Sequence, residues 1–413
     1  MPTKTIPAAQ ISAADDAFLE DLSRKSFHYF WEQSDPNTGL TVDRARADGS
    51  PMPANHPSYN IASSAATGFA LTSLCTAAER NWVAPAEAKM RARKTLDFFA
   101  NRASHKNGWF YHWMDKPSGE RRWKSEISSI DTAILLGGVL SVKQCFRDDT
   151  EIVSLATKIY ERVDFKWMLN GNPYLLSHGW RPETGFISSR WDTYSEHALL
   201  YFLAIGSPTN SISPEAWYAW KRDFITYGDY KYLAGDTPLF IHQFSQAWLD
   251  LRERREKRSP FVNYYENSVN ATRAQRQFFI DVSKEFPTYT ANIWGLTASD
   301  SQNGYVAWGA PPRPATLDGT VVPCAAAGSL MFTPGISLAA LREMKGKFGD
   351  KIYKHYGFVD AFNPHTNWTA SDVIGIDLGI TLLSAENLRS GKVWFWFMQN
   401  PEIIYALRQA NLN

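Results

Sequence analysis

Apolar residues recur at three- and four-residue steps along most of the chain, the spacing of helices that bury one face. This pattern predicts helices over 17–33, 60–80, 86–101, 129–147, 150–168, 194–205, 238–256, 262–281, 336–348, 374–389 and 400–411, with weaker stretches near 213–224 and 322–333. Two segments, AILLGGVL and ALLYFLAIG, are almost wholly apolar, so their helices have no solvent face. Sustained strand alternation is absent. Two short hairpins are predicted instead, one around Lys116-Pro117-Ser118-Gly119 and one around Pro182-Glu183-Thr184-Gly185. Pro36-Asn37-Thr38-Gly39 is a third turn of this kind, which suggests successive helix pairs with elaborated loops on one side. Helices apolar all round, mixed with helices apolar on one face, suit an all-α fold of six helical hairpins closed into a double ring. That is an (α/α)6 barrel with short β-hairpins in its loops; an open helical solenoid is the alternative. No Pro/Gly/Ser-rich linker divides the chain. Residues 16–413 therefore read as one domain behind an unstructured or tag-like stretch, 1–15.

The 413 residues carry 43 Lys and Arg against 42 Asp and Glu, a net charge of +1. Such a balance leaves no electrostatic footprint for nucleic acid. MPTKTIPAAQISAADDAF holds no apolar core of signal-peptide length, and no apolar run is long enough to span a membrane. Cys75, Cys145 and Cys324 lie far apart, so neither a disulfide framework nor a structural zinc site is expected. The mixed charge run LRERREKRS (251–259) reads as a solvated helix end. Aromatic residues reach 14%, and many of the 16 Trp sit in polar, Gly-rich stretches such as GWFYHWMDK and HGWRPETG. Aromatic faces beside polar groups suit a ligand with apolar ring faces and many hydroxyls, a sugar. The plainer alternative is a Trp buried at a loop base with its N–H satisfied.

No GxSxG elbow, HExxH helix, Walker A loop or GxGxxG turn occurs, and the nine His show no metal-ligand spacing, so no metal or cofactor is expected. What remains is carboxylates at the starts of apolar helices: Glu126 and Asp131, then Glu196, then Asp377. Two carboxylates flanking a scissile bond are the machinery of glycoside hydrolysis. Helix capping competes with that role. Ser128 and Asp131 form a capping-box-like pair, Thr193 and Glu196 match T-x-x-E, and Asp377 also stands at a helix start. A helix start lowers a carboxyl pKa, so Glu196 as a general acid requires burial or a nearby anion such as Glu126 or Asp131.

The strings YSEHALLYFLAIGSP, HQFSQAWLDLR, YYENSVNATRAQRQF, NIWGLTASD, GYVAWGAPP, DGTVVPCAAAGSLMFTP, YGFVDAFNP and GIDLGITLLSAENLRSG together resemble the glucoamylase-like family of bacterial proteins. That family includes the endo-β-1,2-glucanases of glycoside hydrolase family 144, and the resemblance runs from Phe18 to Arg408. It implies an (α/α)6 barrel with a pocket at one mouth, inverting hydrolysis of β-1,2-glucan or sophoro-oligosaccharides, and no metal. It also implies a periplasmic or secreted location, with the cytoplasm as the alternative. The family's Y-S-E motif falls on Tyr194-Ser195-Glu196 and points to Glu196 as the essential acid. Its S-x-x-D segment falls on Ser128–Asp131 behind Glu126, and its G-I-D-x-G on Gly375–Gly379. The base is then one of Glu126, Asp131 and Asp377. Arg44, Tyr59, Trp109, His112, Trp113, Trp191, Tyr194, His242, Trp248, Trp294 and Asn363 are expected to line the sugar subsites. Transglycosylation, another glycosidic linkage, or oligosaccharide binding without turnover are the alternatives.

Overall fold

A computed structural model describes residues 11–412 except Asp236. The expected leader, 1–15, lies largely outside these residues. Its last part is helical instead: Ser12 accepts a hydrogen bond from the Asp15 N–H and opens the helix Ala13–Gln33.

The apolar segments 133–140 and 198–206 both lie in buried helices, Ser129–Cys145 and Ala198–Gly206, and a third helix, Ser64–Glu79, is as deeply buried. Helix Ser64–Glu79 is buried at every position from Ser64 to Ala77, and helix Ser129–Cys145 at every position but Ile130 up to Val142. They approach almost backbone to backbone. A Cβ built on Gly138 would stand 2.1 Å from the Gly68 carbonyl oxygen, and one on Gly68 would stand 2.3 Å from that of Ile134. Hydroxyls inside this packing fold back onto their own helices: Thr72 donates to Gly68 O and Ser141 to Gly137 O.

Packing then runs in a cycle. Ser64–Glu79 packs on Ser129–Cys145, which packs on Ala198–Gly206, which packs on Phe244–Trp248. The turn Leu239–His242 meets Pro323–Gly328, which packs on Gly375–Arg389, and that helix returns to Ser64–Glu79. Helices Ala13–Gln33, Pro85–Asp97, Thr150–Glu161 and Pro334–Phe348 pack outside, each with one buried face. One continuous cluster of buried apolar side chains extends from Leu19 to Leu412. The C-terminal helices Lys392–Phe397 and Pro401–Gln409 close one end. Trp394 donates to Gln246 O at 2.6 Å, and Asn400 donates to Leu140 O at 3.1 Å.

Several expectations change. The helix expected over 238–256 stops at Trp248, because Leu249 turns extended. The charge run that follows is not wholly solvated: Glu256 is buried, accepting from Trp217 at 2.8 Å, Tyr264 at 2.7 Å and Arg222 at 2.6 Å. The segment 150–168 breaks before Asp164, which caps a separate turn, Phe165–Met168. The hairpin at 182–185 forms, with Trp180 opposite Phe186 and Arg181 opposite Gly185. The hairpin at 116–119 forms as well, with Met114 bridging Arg121 and Asp115 N–H donating to Glu120 O at 2.7 Å, and its first strand, Trp113–Asp115, also pairs with Ile61–Ser63. A hairpin at Phe224–Tyr227 and Tyr230–Leu233 had no expected counterpart. No helix among the described residues is long and apolar enough to cross a membrane.

Candidate active site

The starts of the inner helices are laced together at the end opposite the C-terminal helices. Ser64 N donates to His112 O, and Gly375 N donates to Asp43 O at 2.7 Å. Trp191 Nε1 donates to Ser129 Oγ at 2.9 Å. Ser245 Oγ donates to Glu196 O and accepts from Leu199 N. Side chains carried just before or inside these first turns therefore share one mouth.

His112 sits between two of the expected acids. Its Nδ1 is 3.0 Å from Glu126 Oε1 and its Nε2 is 3.4 Å from Asp131 Oδ1. Trp113 stacks on the His112 ring at 3.5 Å. Burial alone would raise the Glu126 carboxyl, but the hydrogen bond and charge of His112, with Arg181 behind, outweigh it and hold it down to about 2. Burial opposes charge on His112, yet Asp131, Glu126 and Asp43 around it push its pKa up. Asp131 combines both readings of its position. It pairs with the capping Ser128, whose Oγ is 3.2 Å from its N–H and 2.5 Å from its Oδ2, while Oδ1 faces His112. The donor atoms of His112, Glu126 and Asp131 lie within 4.8 Å of one another, so this trio could also hold a metal ion.

The second group was only partly foreseen. Arg44 is bound by Asp300 at 2.9 and 3.2 Å, and Arg46 by Asp372 at 2.9 Å. The Asp300 N–H donates to Asp360 Oδ2 at 2.7 Å. Asp360 in turn faces Asp377. Burial pushes the Asp377 carboxyl up, and the Asp43 and Asp300 charges push the same way. Hydrogen bonds from Asp360 and Cys324 resist, and its pKa settles at about 6. Burial and the Asp377 charge raise Asp360 as well. Two buried carboxyls side by side share a proton because both cannot ionise cheaply. The capping reading fails for Asp377, since no side chain caps that helix at Ile374 and the carboxylate turns to Asp360 and Cys324 instead. Tyr305, on the hairpin Ser299–Ser301 and Gly304–Val306, is 54% exposed and feels the charges of Asp377, Asp360 and Asp43. Asp43 also acts on His112, so it joins the two groups of acids.

Glu196 stands in the turn before helix Ala198–Gly206, half-buried, and accepts a hydrogen bond from Ser195 Oγ. The expected T-x-x-E cap does not form: the helix starts two residues later with no side-chain cap at His197, and Thr193 instead bridges Lys221. Behind Glu196, the Tyr194 hydroxyl is 3.2 Å from His242 Nδ1, and Asn267 Nδ2 is 3.3 Å from the same nitrogen. Burial lowers the His242 pKa to about 3, so this ring is neutral.

The expected sugar-facing residues divide. Arg44, His112 and Trp113 belong to the acid-lined mouth, and Tyr59 is exposed in the loop before Ile61. Trp191 is buried in the wall, stacked on His178 at 4.0 Å. Four positions are corrections. Trp109 is wholly buried, with Nε1 on Asp164 O, and Trp248 is wholly buried between the two closest helices, with Nε1 on Thr72 Oγ1. Trp294 is also fully buried. Asn363 is a turn former, donating to Asp318 O and accepting from His365 N. Asp43, Asp300, Asp360 and Asp372 were missed as site residues. Their one sequence signal is an acid set among apolar or small residues, as in GFVDAF and TASDVIG.

A sequence profile of the family described as "Putative glucoamylase" matches residues 188–401, more than half of the chain. The chain belongs to this family. Among solved structures it is similar to the endo-β-1,2-glucanase of Chitinophaga pinensis in complex with sophorotriose and glucose, at 27% identity and TM-score 0.89, covering 98% of this chain and 99% of that one. It is also similar to a putative glucoamylase of Bacteroides fragilis, at 29% identity and TM-score 0.87, covering 99% of each chain. A curated relative in the same family's range of likeness, the exo β-1,2-glucooligosaccharide sophorohydrolase of Parabacteroides distasonis, is 26% identical over 97% of this chain. The chain spans 58% of that relative's length.

Proposed function

We propose that this chain is a glycoside hydrolase that cleaves β-1,2-glucan or sophoro-oligosaccharides, built as an (α/α)6 barrel with its pocket at the acid-lined mouth. The observation that carries this reading is the end-to-end likeness, at TM-score 0.89, to an endo-β-1,2-glucanase in complex with sophorotriose. The C-terminal helices across the far end favour a blind pocket over a through-channel. Glu196 donates a proton to the departing glycosidic oxygen, directly or through a substrate hydroxyl or water. A second carboxylate removes a proton from the attacking water on the opposite face of the sugar, and the anomeric configuration inverts.

Basicity separates the three candidate bases. Glu126, held at about 2, is a weak proton acceptor and serves better to orient His112. Asp377, at about 6, is matched to proton transfer near neutrality, and its buried Oδ2 has no hydrogen-bond partner among the described residues. Asp131 is committed to Ser128 and His112. We therefore assign the base to Asp377, with Asp360 tuning it.

The test is incubation with β-1,2-, β-1,3-, β-1,4- and β-1,6-glucans, with products resolved by chromatography. Short β-1,2-linked products from the first substrate alone are expected. Glu196→Gln should lower kcat by roughly 10²–10⁴ with the fold intact. Binding of β-1,2-glucan in calorimetry without release of reducing ends would replace hydrolysis by binding alone, and near-wild-type turnover in Glu196→Gln would remove Glu196 from the acid role.

A further inference from the structure

Outside the mouth, on the outer surface, three metal-ligating side chains converge from distant parts of the chain. His28 and Glu32 stand one turn apart on the helix Ala13–Gln33, so they share a face. His355 comes from the tight turn between Tyr353–Lys354 and Gly357–Phe358. One donor atom from each of the three lies within 4.8 Å of the others. His355 Nε2 is 3.0 and 3.2 Å from the two Glu32 oxygens. Two ligands of one tetrahedral zinc, each about 2.0–2.1 Å from the metal, stand roughly 3.4 Å apart, so this pair already has the spacing of adjacent ligands. The His28 and His355 rings are 6.2 Å apart and inclined at 49°.

The arrangement is held from behind. The Tyr356 hydroxyl donates to Glu32 Oε2 at 2.9 Å and itself accepts from Gln33 at 2.7 Å. The His355 backbone N–H donates to Ala47 O at 3.1 Å. Its ring lies against Gly49, where a Cβ would come within 2.8 Å of Cδ2 and φ is +80°. Such outer hydrogen bonds orient ligands in metal sites. Glu32 and His355 are each 40% exposed, which leaves the site open to ions from solution.

We propose that His28, Glu32 and His355 form a binding site for a divalent transition-metal cation, zinc foremost, that ties the first helix to the 353–358 hairpin. Two imidazoles and one carboxylate are a nitrogen and oxygen set suited to zinc, with the fourth position open to water. The clamp joins the hairpin that runs directly into Asp360 to the outer helix, and through Ala47 and Gly49 to the strand that carries Arg44. Its role is structural, and it does not depend on the glycosidase reading.

Titration of chelator-treated protein with zinc chloride in calorimetry should give one equivalent of saturable binding. Cobalt(II) should develop the visible absorption of a four-coordinate site. His28→Ala, His355→Ala and Glu32→Gln should each weaken zinc binding at least tenfold, and His112→Ala should not. Should an alanine variant fail to fold, Glu32→Gln and the wild-type cobalt spectrum still decide. No saturable binding to wild type, binding retained in both His355→Ala and Glu32→Gln, or binding lost only in His112→Ala would overturn the proposal.

Discussion

Asp377 meets two opposed demands. As the proposed base it needs to be a basic carboxylate in a dry place, while the fold must tolerate a buried charge beside Asp360. The folded value of about 6, above the ordinary 3.8, means that the native state favours the protonated form. Its contribution to stability is therefore full below pH 3.8 and is lost as pH rises through about 6. Asp377→Asn should match wild type in acid and melt several degrees higher above neutrality, while kcat drops by roughly 10²–10⁴. Melting curves across a pH series, with turnover on β-1,2-glucan, check both halves. Asp131 and Asp377 stood out in the sequence because each opens an almost wholly apolar helix, although Asp131 also pairs with the capping Ser128. Asp43, Asp300 and Asp360 did not, since they meet Arg44 and Asp377 only after distant turns are brought together. The tryptophans misled in the opposite way. Trp248 ends the helix Phe244–Trp248, and its indole fills the seam against Phe69 and Gly137. Trp248→Ala should cost about 3–5 kcal/mol in chemical denaturation. The surviving folded enzyme should keep its KM within about twofold, because no sugar contact is lost.

Among the elements, the inner helices were the clearest in sequence, because burial on all sides leaves its mark in every residue. Their ends were less so. The hydrophobic period over 238–256 continues past Trp248, but Asp250 turns its carboxylate onto the Arg252 guanidinium at 2.7 and 2.8 Å and the chain leaves the helix. Hairpin partners were the least legible: periodicity marks Trp113–Asp115 as extended but cannot say that Ile61–Ser63 lies beside it. The Gly68–Gly138 crossing sets how near the two longest inner helices can come. Gly138→Ala would drive a methyl into a backbone oxygen, which no rotamer change relieves. The expected loss is about 1–3 kcal/mol, or more if the crossing cannot widen, read from the denaturant midpoint. Activity should fall as well, since both helices deliver parts of the mouth.

At the scale of the whole molecule, the helical class was legible from the count of apolar segments and the absence of long strands. The plug formed by Lys392–Phe397 and Pro401–Gln409 was not, because its residues differ little in pattern from any outer helix. With the inner helices beginning at the same rim, the partial positive ends of their peptide dipoles point together toward the acids clustered there. The two sets of charge oppose each other locally, in a chain whose formal charge is only +1. The proposed substrate, an uncharged polysaccharide, therefore meets no long-range field pulling it in or turning it away. Encounter should be governed by diffusion and fit alone, so kcat/KM measured from low to high ionic strength should stay flat.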